Sequence, residues 1–451
     1  MTYFANKQSD IAQNLLLNDV EVIELTSDVT VEDPIEISKN VKLDLKGHTL
    51  AIPIHEGMSI TSGEVSIENG TIITASSDPI SVINYETSLT LGDNLKVNSS
   101  QCAVHIKRRG RVINDGADIT SIGEYSAIFV EGFGSAKDNS TLIVKSGNIV
   151  SKDHVAISAT KGGTVKVLGG YIETQCNPED RKDSHSAIHV SGARSSLIVE
   201  GGDVYSEHTS AVSIAEGAKF LLTGGTIVSD SKDHPSVNLY DDGTSFEMTG
   251  GSVKSLGCDG IFCESIETYH SLSVTIHDGL VEVPSNKKLV TYDIRSQEPS
   301  VNIFGGLFHG KMNPSHIPEG YAAEILDNGY IKVGVRPEGD SDDNQNTSGS
   351  EDSNSGKQEQ DTNSSEDDEN NDDEDNESDL LEAGQSIQLV ALTPVYGSTS
   401  NKYHIYDLVG SATILKVEEN SVTNEKYYKI QFIRPGHGGK SVGFILASSI
   451  N

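Results

Sequence analysis

The sequence predicts an all-β chain: a right-handed parallel solenoid, then an acidic linker, then a small β-barrel. Three observations predict it. Residues 186–230 hold two passes of one template, S-A-I-H-V-S-G-A-R-S-S-L-I-V-E-G-G-D-V-Y-S and S-A-V-S-I-A-E-G-A-K-F-L-L-T-G-G-T-I-V-S, whose Gly-Gly pairs end 23 residues apart at Gly202 and Gly225. Each pass reads as three short alternating strands with no helix-period segment, the mark of a solenoid. A turn pair of the same kind recurs along the chain, from Asn69-Gly70 and Asp115-Gly116 through Gly169-Gly170 and Gly250-Gly251 to Gly305-Gly306. Finally, Glu338–Glu382 carries nineteen Asp or Glu and one Lys, with no large apolar residue before Leu380.

Residues 1–19 read as a cap. S-D-I-A-Q-N-L-L-L-N (9–18) suits a short amphipathic helix with Ser9 or Asp10 as its N-cap, a lid for the open edge of the first rung. The solenoid spans 20–337, opening with V-E-V-I-E-L (20–25) and V-K-L-D-L-K-G-H-T-L (41–50), where alternate residues point to opposite faces. Counted from the turn pair, positions −4 and −2 are apolar (Val165/Val167, Leu197/Val199, Phe220/Leu222), and so is the second residue after it (Ile172, Val204, Ile227). The preceding strand adds Val104/Ile106, Ile128/Val130 and Ile188/Val190. Stacked one rung apart, such columns pair in parallel and close a continuous core, with right-handed connections. About eleven rungs at roughly 4.8 Å each give a rod on the order of 50 Å long.

Lys96 and Arg111 fall at expected core positions, which predicts local register shifts there. The repeat is lengthened by insertions at 131–140 and 175–185. A-A-E-I-L, D-N-G and Y-I-K-V (322–333) read as a closing β-hairpin. Residues 338–382 cannot collapse around a core and read as a disordered, solvated tether. Five short strands (386–392, 403–408, 411–417, 426–432, 441–446) then make residues 383–451 a small barrel.

The net charge of −34 over 451 residues argues against phosphate-directed nucleic-acid binding. Four scattered cysteines without a C-x-x-C read as reduced, mostly buried thiols. Neither a signal peptide nor a membrane-spanning segment is legible, so the expectation is a protein that stays in the cell or leaves by lysis. No cofactor or metal motif is found, and His185 and His189, four apart on a strand, stand about 13 Å apart, too far to share a metal.

The V-K-L-D-L-K-G-H-T-L start and the repeated G-G-x-[IV] resemble the right-handed parallel β-helix superfamily that includes pectin and pectate lyases and phage tailspikes, over roughly residues 20–335. T-P-V-Y-G-S-T (393–399), Y-Y-K-I (427–430) and G-F-I-L-A-S-S-I (443–450) resemble bacterial SH3-type (SH3b) domains, although Phe444 stands where members often have Trp or Tyr. The second resemblance implies binding of bacterial cell-wall peptide or glycan. The two together resemble phage head fibres, decoration proteins and tailspikes, which is analogy at the level of architecture.

The outward column of the strand before each turn is expected to stack His105, Phe129, Ser158, His189, Ser213, Asn238, Phe262 and Asp293. Phe129, His189 and Phe262 would there face sugar rings. In the barrel, Tyr396, Tyr403, Tyr406 and Phe444 are the ligand-groove candidates. Asp180, Arg181, Asp183 and His185 in the long insertion would be the acid–base set of an enzyme, but charged loops are usually only solvated.

The first expectation is therefore a non-enzymatic virion fibre or decoration protein. It would be held by capsid or other structural proteins, would display its last domain to a bacterial cell-wall peptide or surface polysaccharide, and is compatible with a homo-oligomer. The alternatives are a tailspike-type polysaccharide depolymerase and a bacterial surface adhesin.

Overall fold

The computed structural model describes residues 1–133, 139–176, 186–241, 243–265, 272–294 and 298–336. It also describes four later strands, Ser386–Tyr396, His404–Glu419, Lys426–Ile433 and Lys440–Leu446. Contacts divide the chain into two compact units, Met1–Val335 and Arg336–Asn451.

The first unit is a parallel β-solenoid of about twelve turns. Each turn contributes a strand to each of three sheets. In the turn that begins at Ile188, Ile188–Ser191 lies in an eleven-stranded sheet, Ser196–Val199 in a thirteen-stranded sheet and Asp203–Ser206 in a fourteen-stranded one. These are called the third, first and second sheets below. Ile188, Val190, Leu197, Val199 and Val204 all point inward and are completely buried, as are their counterparts in neighbouring turns. The inward columns expected from the repeat are the columns observed.

Two backbone devices set the corners. Where the first sheet turns into the second, Gly202 and Gly225 stack in the left-handed region at φ 77° and 78°. A Cβ on Gly225 would lie 2.6 Å from the carbonyl oxygen of Gly202, so glycine is required both by conformation and by contact. At the far end of the second sheet, Thr74, Ser99, Ser121, Ser151, Thr174, Ser206, Ser229 and Ser255 form one buried column in register. Their hydroxyls satisfy the polypeptide where it leaves the ladder: Thr174 Oγ1 donates to His154 O at 2.7 Å and Ser229 Oγ to Thr209 O at 2.7 Å. Buried carbonyls that would otherwise be orphaned are thereby paired.

Departures from expectation have local causes. Arg111 points outward rather than into the core; Val112 and Asn114 are the buried residues of its strand. The ladder shifts register between Asn114 and Asp115 to restore the repeat. Lys96 is also outward, between buried Leu95 and Val97, but its ladders keep register on both sides, so the shift expected there is absent: ordinary strand alternation already turns it to solvent. The helix runs Gln8–Leu15 with Lys7 at its N-cap and no side-chain cap, so neither Ser9 nor Asp10 takes that role. It does lie against the first rung, burying Ile11 and Leu15, and Asn14 Nδ2 donates to Phe4 O. The rung itself begins earlier than expected, because Thr2–Ala5 pairs in parallel with Val22–Leu25. At the other end Tyr321–Ile325 and Ile331–Val335 form the expected hairpin, which adds antiparallel to Gly306–His309.

In the second unit the four later strands close into an antiparallel barrel. Among the described residues four strands stand where five were expected: the two segments on either side of Gly410, which pairs with Leu389, run together as His404–Glu419. The linker 338–382 lies outside the described residues.

Candidate functional site

The outward face of the third sheet carries the densest chemistry among the described residues. Alternation in Val104–Lys107 buries Val104 and Ile106 and turns His105 and Lys107 outward; Ile128–Glu131 does the same with Phe129 and Glu131. Asp78, in the S-S-D-P turn before Ile80–Ile83, reaches the same place and is 5% exposed. Its carboxylate accepts from Ser81 Oγ at 2.5 Å and from Lys107 Nζ, and lies 3.5 Å from His105 Nδ1. His105 Nε2 faces Glu131 Oε2 at 3.3 Å as an ion pair rather than an aligned hydrogen bond. Lys161 Nζ closes the row on Glu131 Oε1 at 2.6 Å, and the Phe129 ring lies 4.8 Å from that of His105.

Burial works against the Asp78 charge, but the neighbouring His105 and the hydrogen bonds from Lys107 and Ser81 outweigh it and hold its pKa well below the usual carboxylate value. His105, with help from Lys161, draws Glu131 down to about 2 against its partial burial. Burial alone would depress His105; Asp78 and Glu131 overcome it and raise its pKa. The row is thus a clamp of mutually satisfied charges that ties successive turns together. Each carboxylate is held ionised by cations, the opposite of what a general acid needs.

His55, Glu56 and Asp78 place ligand atoms within 4.8 Å of one another, but the Lys107 ammonium bonds Asp78 and lies 3.6 Å from Glu56. That ammonium already supplies the positive charge a cation would bring.

The expected sugar-facing column is only partly assembled. Phe129, His189 and Phe262 do share one register column, but the strands of Ser158, His189, Ser213 and Asn238 separate the two phenylalanines. Five steps of roughly 4.8 Å put them about 24 Å apart. The column ends at Thr291, not Asp293, which instead pairs with Glu264 two residues along. In the barrel, Tyr396 and Phe444 are direct cross-strand partners, and Tyr406 lies opposite Val395. Tyr403, Asp180, Arg181, Asp183 and His185 lie outside the described residues.

Arg111 finds its place on the first sheet. It lines an open groove of about 700 Å³ with Glu64, Glu86, Arg109 and Asn139, and this continues past Ser88 into a second of about 440 Å³. The Asp78–His105–Glu131 row had one sequence signal, the second outward position of each strand (Lys107, Glu131), which following a single outward column passes over. Compared with family models, characterised proteins and solved structures, the chain matches none.

Proposed function

We propose that the chain is a non-enzymatic display protein, a β-solenoid stalk that presents a C-terminal SH3b-like barrel for weak binding to a bacterial cell-wall peptide or glycan. The observation that carries this reading is the division into two compact units, with a nineteen-carboxylate stretch opening the second. A stalk of stacked turns, a strongly charged spacer and a small separate barrel suit repeated weak contacts made by many copies on one particle. A phage particle, with the stalk held by capsid or other structural proteins, is the setting that the architectural analogy favours; a bacterial cell surface is the alternative.

The test compares the full chain with a chain ending at residue 337 in pelleting with Gram-positive cell walls. The full chain is expected to sediment and the shortened one to stay in solution. Equal behaviour of the two would remove the adhesive role of the barrel. Release of reducing ends or unsaturated uronates from capsular polysaccharide, lost in Asp180→Ala, would replace display by the depolymerase alternative.

A further inference from the structure

The outer face of the second sheet holds a different arrangement, in the turns that follow Gly170 and Gly202. Tyr171–Thr174 and Asp203–Ser206 pair in parallel, with Tyr171 opposite Asp203 and Glu173 opposite Tyr205. Ile172 and Val204 are fully buried between them, so the other four side chains share the outward face. They form a square with the tyrosines on one diagonal and the carboxylates on the other. The two rings are nearly parallel, 22° apart with centroids 6.5 Å apart, and both are half-buried.

The square sits in a negative field that its own side chains leave unbalanced. Glu173 and Asp203 act on Tyr171, and Asp230, Glu207 and Glu173 on Tyr205. Burial first, and these charges second, push the Tyr171 phenol up to about 12 and raise Tyr205. Among the described residues no lysine or arginine pairs with Glu173, Asp203 or Asp230, in contrast to the fully paired row around His105. Among the described residues the one side-chain polar contact to the square is Gln175 Nε2 donating to Glu173 Oε1 at 2.9 Å, and the Lys152 ammonium, one side chain farther out, donates to Gln175 Oε1.

We propose that this square binds a saccharide that carries protonated amines, an unacetylated amino-sugar oligomer. Tyrosine faces accept the C–H face of a sugar, and they attract a cation within roughly 6 Å of the ring centroid. The carboxylates on the other diagonal supply charge-assisted hydrogen bonds to the ammonium groups. Because the tyrosines stand on neighbouring turns of a rigid ladder, the platform is ordered before the ligand arrives, which lowers the entropic cost of binding. An anionic glycan would meet like charge. The inference needs only the solenoid and does not rest on the display reading.

The test measures binding of glucosamine hexamer and N-acetylglucosamine hexamer to the full chain at pH 6 by calorimetry. The glucosamine hexamer is expected to bind at least about tenfold more tightly than its acetylated counterpart. Tyr205→Ala and Asp203→Asn should each weaken it about tenfold, while Tyr205→Phe, which keeps the ring, stays within about threefold of wild type. Equal affinity for the two hexamers, or no binding of either, overturns the proposal. So does binding that survives both Tyr205→Ala and Asp203→Asn, which would report attraction to the acidic segment 338–382 instead.

Discussion

Two stretches of the third sheet share one interior and differ outside. In 104–131 the inward residues are Val104, Ile106, Ile128 and Val130; in 188–215 they are Ile188, Val190, Val212 and Ile214, and all eight are completely buried. The outward residues are His105, Lys107, Phe129 and Glu131 in the first stretch and His189, Ser191, Ser213 and Ala215 in the second. One wall of the strand therefore sets the architecture, and the other is free to carry whatever chemistry a given turn needs.

That division can be broken first from the inside. Phe220 is buried and stacked on Phe246 of the next turn with centroids 4.8 Å apart. Phe220→Ala is expected to cost about 3–5 kcal/mol, read as a fall in Tm that is the same at pH 5 and pH 8. A loss below about 1 kcal/mol would mean that the interior does not carry the rod.

The outer clamp should show a smaller effect that depends on pH. His105→Gln removes the cation between Asp78 and Glu131 and is expected to cost about 1–3 kcal/mol. Asp78 and Glu131 have lowered pKa values, so their share is present above about 4 and is lost as the pH falls towards about 2, the value for Glu131. His105 is raised, so its share is complete below about 6.5 and is lost as the pH climbs through its folded value. The Tm difference between wild type and His105→Gln should be widest from pH about 4.5 to 6.5 and narrow on both sides. A difference that stays constant from pH 5 to 9 would reduce the row to packing.

The smallest effect belongs to a pair that no further ion pair joins among the described residues. Lys145 and Asp115 meet at 2.9 Å with side chains 46% and 42% exposed. Lys145→Ala should change stability by less than about 1 kcal/mol, and by less still in high salt. A change as large as that of His105→Gln would remove the distinction between an enclosed row and an open pair.

The same division explains what could be read from the residues. Inward positions repeat because every turn meets the same core, so Leu197, Phe220 and Ile227 announced their places, and the misplaced Arg111 announced its register shift. Outward chemistry does not repeat. Lys107 and Glu131 lie one alternation beyond the column of His105 and Phe129, and Asp78 comes from a turn whose S-S-D-P reads as loop. The hydroxyl column from Thr74 to Ser255 is hidden for another reason: Ser and Thr at the end of a strand look like turn residues, although here they are buried and hydrogen-bond the backbone of corners in their own or neighbouring turns. The square of Tyr171, Glu173, Asp203 and Tyr205 depends on the register between two strands, which no single strand reveals.

The two ends of the solenoid have a consequence for assembly. A rod ending on a bare turn would expose a parallel edge on which the first turn of another copy could continue, giving an open filament. Asn14 occupies the Phe4 carbonyl at one end, and at the other the strand direction is reversed by Tyr321–Ile325 and Ile331–Val335. Neither end matches the other as a template. The described ends of the solenoid therefore offer no matched pair of parallel edges on which one copy could continue directly into another.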